Sequence, residues 1–141
     1  MPHDASLAAV AHVIQLAVAP VFLISGVSAL LSVFTNRLTR IIERARFLGL
    51  ADTLSAAQIE ELMVLKRRVR LIHRSILLAT TSALLISVVI VILFLGVFLT
   101  LDVAAIVSVL FVAAMIALIG SLVMFLLEVH LATLTLRLHP D

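Results

Sequence analysis

The histidines and acidic residues could do chemistry, but their spacing argues against a catalytic centre. His3, His12, His73, His130 and His139 are scattered along the chain. There is no HExxH pair and no glycine-rich phosphate loop. Glu128 and His130 are two residues apart, so a helix turns them to different sides. Catalysis needs convergent polar groups, so no enzymatic activity, metal or cofactor is expected. The absence of Cys excludes disulfides, thiolate metal sites and cysteine nucleophiles. Each histidine reads as a solvated or interfacial side chain. Glu128, at the end of a long apolar run, reads as an interfacial carboxylate, although acids in such places merit suspicion.

The arginines are patterned. Arg37, Arg40 and Arg44 are spaced three and four apart, as are Arg67, Arg70 and Arg74. That spacing puts each set on one helix face. The plain reading is topology plus snorkelling to lipid phosphates. The sharper reading is a surface for a soluble partner or an anionic ligand. Nucleic acid fits poorly, since no stacking residues accompany the charges. Glu43 stands three residues from both Arg40 and Arg46, close enough to pair. Glu60 and Glu61 have no basic residue three or four away, so most of the positive charge stays unneutralised within its own helix.

A second pattern is polar but uncharged. Ser25, Ser28, Ser32, Thr35 and Thr39 alternate three and four apart, and the same seam extended backwards meets Phe22, Val18 and Gln15. Small hydroxyl residues let helices approach closely in lipid, so packing explains such a stripe. A wetted pore or groove, lined by Gln15, Ser25, Ser28, Ser32 and Thr35 in an oligomer, is the functional alternative. Ala113, Ala117 and Ser121 form a further small-residue row that reads as packing.

The elements that carry these patterns belong to lipid. Soluble domains are about 45–50% apolar and about 25% charged. This chain is 64% hydrophobic and 13% charged, with mean hydropathy +1.32. A spanning helix needs about 20 apolar residues. Residues 13–35 carry no charge, and from Ser75 to Leu127 the only charge is Asp102. A single helix over that second stretch would be about 80 Å long, so the chain must fold back, with Asp102 as apex and helix cap. The spans are therefore about 13–35, 76–101 and 103–127, with Pro20 kinking the first. Ala17-Val18-Ala19 has the look of a signal cleavage site, but no Lys or Arg precedes it, so the first segment is expected to be retained. The usual aromatic belt is missing, since there is no Trp or Tyr.

Nine of the ten basic residues lie between residues 37 and 74. The bias of Lys and Arg to cytoplasmic loops puts this stretch inside, both the N-terminus and the Asp102 turn outside, and the C-terminus inside. The stretch itself is patterned as helix. Leu38, Ile41, Ile42, Ala45 and Leu48 have helical spacing, and Gly49 offers a stop. Ser55 and Gln58 match a capping box. Leu62, Leu65, Val69, Ile72, Ile76, Ala79, Ala83, Ile86 and Ile90 then continue a heptad seam from cytosol into membrane. Three helices are predicted, at about 7–48, 55–100 and 103–138. The fold class is all-α: one three-helix transmembrane domain over residues 1–141, extended by a cytoplasmic helical hairpin over about 36–75.

Two segments are similar to a known family. Ile14–Pro20 together with Thr35–Arg46, including Arg37, Arg40, Glu43, Arg44 and Arg46, resembles the bacterial membrane proteins catalogued as domain of unknown function 2721. Glu43 stands where that family often has Asp. Leu65–Arg74 resembles its second basic segment. The resemblance covers most of the chain and implies a bacterial membrane protein, for which the inner membrane is the expected location; it brings no activity, substrate or catalytic residue. Three helices bury little alone, so a homo-oligomer is expected. The first functional expectation is an oligomeric pore or ion-conducting assembly. The alternative is a non-catalytic accessory or scaffold subunit of a larger membrane complex. Its basic face, Arg37, Arg40, Arg44, Arg67, Arg70 and Arg74, would meet anionic lipid headgroups or a partner.

Overall fold

A computed structural model describes residues 2–138 as three long helices. They are α1 (Pro2–Gly49), α2 (Ala56–Leu99) and α3 (Ala104–Leu138). Each contains a stretch long and apolar enough to cross a bilayer, and the chain is a multi-pass membrane protein. α2 packs along both of its neighbours.

Local signals set the helix ends. α1 runs as one helix through Pro20, which is buried, and stops at Gly49. The Ser55 side chain accepts from the Gln58 amide at 3.3 Å while Gln58 Oε1 accepts from the Ser55 amide at 2.9 Å, a complete capping box. α2 closes on Thr100, whose φ of 50° is left-handed, and the Leu101 amide returns to the Gly96 carbonyl. A Cβ on Gly96 would stand 2.7 Å from Val103 Cγ2, so the returning chain needs glycine there. Asp102 Oδ1 accepts from the Ala104 amide at 3.2 Å and opens α3, the capping role expected of it.

A seven-residue period organises the packing. α1 buries Val13, Pro20, Val27, Phe34, Ile41 and Leu48, each seven residues after the last. A strict heptad is the signature of left-handed supercoiling, which keeps one stripe facing its partner. α2 carries two such stripes. Leu65, Ile72, Ala79 and Ile86 belong to the seam read from sequence; Ser75, Ser82, Val89 and Gly96 form a second stripe.

That second stripe carries polar rungs to α3. Ser82 Oγ donates to the Ala114 carbonyl at 2.8 Å, Ser121 Oγ donates to the Ser75 carbonyl at 2.7 Å, and Arg68 Nε donates to Glu128 Oε1 at 2.9 Å. From rung to rung both helices move seven residues, in opposite directions. Side chains this small let backbones approach closely enough for a hydroxyl to reach the opposite carbonyl.

One sequence expectation is corrected. The small-residue row on α3 is not Ala113–Ala117–Ser121: Ala114 and Ser121 are buried, Ala117 is half-buried and Ala113 is exposed. The heptad selects Ala114, Ser121 and Glu128, whereas a four-residue step drifts off the contact line. The third helix reaches the predicted end near residue 138. α3 continues from Leu127 to Leu138, about 16 Å further, and Glu128 joins it to α2. The basic end is a stalk to which all three helices contribute.

Candidate functional site

Glu128 is completely buried, and each helix supplies one member of its cluster. Arg68 from α2 donates to Oε1, and Arg37 Nε from α1 lies 2.6 Å from Oε2. The Arg37 contact has the distance of an ion pair but not the direction of a hydrogen bond, so attraction there is chiefly Coulombic. The Arg37 guanidinium also lies 5.6 Å from the Phe125 ring centroid, and Phe125 packs on Phe34 with centroids 4.7 Å apart. Carboxylate and ring face together hold the cation. Phe34 sits one helical turn before Arg37 and Phe125 one turn before Glu128, so both helices present the same pair of positions.

One carboxylate between two guanidiniums leaves a net positive charge. The cluster offers a charge lock between the three helices. Its chemistry is to fix α3 against α1 and α2 at the foot of the stalk. The sequence read Glu128 as an interfacial carboxylate; the structure buries it wholly, with Arg37 and Arg68 as its ion-pair partners.

A second pair lies higher on the stalk. Arg44 Nε is 2.8 Å from Glu61 Oε1, joining α1 to α2. The Glu61 hydrogen bond, and then its charge, push the Arg44 guanidinium above its ordinary value. Arg37 and Arg44 are seven residues apart on α1, so both flank the buried stripe on the same side. Glu43, by contrast, makes no ion pair with Arg40 or Arg46 among the described residues.

The predicted basic face therefore divides. Arg37 and Arg44 are engaged with carboxylates. Arg40, Arg67, Arg70 and Arg74 are exposed, as are Arg46 and Lys66, and none of these six makes an ion pair among the described residues. Arg68 was not among the sequence candidates, yet it is central. Its signal was present: it precedes Ser75 and Ser82 by seven and fourteen residues, just as Glu128 follows Ser121 by seven.

The polar seam of α1 lies outside this cluster. Gln15, Ser25, Ser28, Ser32 and Thr35 are all exposed on the outer surface of the protomer. Ser28 Oγ donates to the Ile24 carbonyl at 2.9 Å and Thr35 Oγ1 to the Leu31 carbonyl at 2.8 Å, so these hydroxyls are satisfied within the helix. His3, His12, His73 and His130 are exposed, and His139 lies outside the described residues.

No curated protein and no solved structure matches the chain. The family described as protein of unknown function (DUF2721) matches residues 17–138, from the first span to the end of α3. The matched region contains the Arg37–Glu128–Arg68 clasp and the basic face, and the chain belongs to that family.

Proposed function

We propose that this protein is a non-catalytic scaffold subunit of the bacterial inner membrane whose basic stalk rests against anionic headgroups. The N-terminus and the Asp102 turn face outward; the stalk and the C-terminus face the cytoplasm. The carrying observation is the division of charge at one end of the bundle. Arg37, Arg44 and Arg68 are used to join helices, while six further basic side chains remain exposed and unpaired among the described residues. Near an anionic leaflet each such residue contributes about 1 kcal/mol of attraction, screened by salt. The continuous heptad supports the scaffold role, since it joins spans and stalk into one rod able to hold a partner at fixed height.

The test is thermal unfolding of the full chain in nanodiscs. The expected melting temperature is higher in anionic than in zwitterionic lipid, because a surface that binds the native state stabilises it. The difference should shrink at high salt and fall by more than half when Arg40, Arg67, Arg70 and Arg74, four of the six exposed cations, are changed to Gln. Equal melting temperatures in both lipids would overturn the reading.

An oligomeric pore is the second reading, favoured by the outward position of the α1 seam. A protomer that displays Gln15, Ser25 and Ser32 on its outer surface offers them to an axis shared with other copies. The native absence of Cys allows a clean test. In the pore reading, water-soluble thiol reagents label single cysteines at positions 25, 28 and 32, but not at the exposed apolar Val21 and Val33. Equal protection at all five positions excludes a wet axis.

A further inference from the structure

The stalk has a groove on α1 and α2, lined by Ala45, Lys66, Val69 and Arg70, with a volume of about 480 Å³. Its origin is a step in side-chain size. The α1 seam there runs Leu38, Ile41, Ala45, Leu48, and the single alanine leaves a hollow beside Val69. The groove is therefore apolar at its floor and cationic at its wall.

Its height follows from the clasp. Lys66 and Arg70 bracket Arg68, so each lies within about 3 Å of it along the helix axis. Arg68 is level with Glu128, the residue after the apolar run of α3, and Glu128 is level with Arg37, two residues past Thr35. On α2 the uncharged span begins at Ser75, five residues from Arg70 and nine from Lys66, about 8 and 14 Å along the axis. The groove thus lies on the charged side of the apolar runs, where phosphate headgroups rather than acyl tails are met. Lys66 and Arg70 have no carboxylate partner among the described residues, whereas the neighbouring Arg68 has one.

We infer that this groove is a binding site for the phosphodiester headgroup of an anionic glycerophospholipid. Arg70 supplies a planar fork that matches phosphate oxygens, and Lys66 supplies a mobile point charge. The apolar floor of Ala45 and Val69 lies beside these two cations. The inference rests on the proposed engagement with anionic headgroups and adds a specific site to it.

Native mass spectrometry of the full chain in micelles, titrated with phosphatidylglycerol or phosphatidylcholine, tests it. Two double variants remove equal charge at similar height: Lys66→Gln with Arg70→Gln in the groove, and Arg40→Gln with Arg67→Gln outside it. Unchanged helix content by circular dichroism establishes that each is folded. Both pairs lose diffuse attraction, and the groove pair is expected to weaken phosphatidylglycerol retention about tenfold further, the loss of a charge-assisted hydrogen bond. Arg70→Lys, which keeps the charge, should retain most of the binding. Equal losses from both pairs would overturn the groove while leaving diffuse attraction to anionic lipid intact. No loss from either would overturn both. Displacement of the lipid by an equal concentration of inorganic phosphate would also overturn the lipid assignment.

Discussion

Replacing Glu128 with Ala is expected to destabilise the bundle by about 3 kcal/mol, the lower end of the cost of breaking a buried ion pair. The carboxylate is fully buried and serves two cations, so its loss leaves Arg37 and Arg68 facing one another. The lower end applies because Arg37 and Arg68 side chains keep 32% and 19% of their surface exposed and can turn toward headgroup phosphate. The same reasoning predicts recovery. With Arg37→Met, Glu128→Leu and Arg68→Met combined, stability should return to within about 1 kcal/mol of the parent, since apolar residues of similar volume commonly replace buried ion pairs without loss. Equilibrium unfolding in micelles measures both. A cost below 1 kcal/mol for the single variant would mean that headgroups or water already neutralise the arginines.

Phe34→Ala carries the second large effect, about 3 kcal/mol. Phe34 is wholly buried and stacks on Phe125, which in turn faces Arg37. Its removal opens a cavity where α1 meets α3, one turn from the clasp. In lipid the loss is one of packing more than of water exclusion, because the competing solvent is itself apolar. Phe125→Ala should cost less, since Phe125 is only half-buried. A double-mutant cycle between Phe125→Ala and Glu128→Ala should be non-additive, because both groups hold Arg37. Strict additivity would show that ring and carboxylate act separately.

The spans were readable because lipid permits few solutions: uncharged runs of sufficient length, with Asp102 alone between two of them. Ser55, Gln58 and Gly49 marked helix ends through local chemistry that needs no tertiary context. The seam from Leu62 to Ile90 was readable near the stalk, where polar residues give it contrast. Within the membrane the contrast fails. Nearly every side chain of α3 is apolar, so its packing face cannot be told from its lipid face by hydropathy. Only the few polar residues betray it, and their seven-residue step becomes visible when Ser121 and Glu128 are set against Ser75 and Arg68. The clasp was missed for a related reason. Ion pairs three or four apart are visible along one helix, but Arg37, Arg68 and Glu128 come from three helices, and their pairing follows only from the register between them. The division of the basic face into engaged and exposed residues was hidden in the same way.

The whole account depends on the side of the membrane that receives the stalk. Single cysteines at Leu50, at the tip of the stalk, and at Asp102, in the short turn, settle it when a membrane-impermeant thiol reagent is applied to intact cells. Position 102 should be labelled from outside, and position 50 only after the membrane is permeabilised. Labelling of position 50 in intact cells would place the basic stalk outside and contradict the proposed scaffold at the cytoplasmic face.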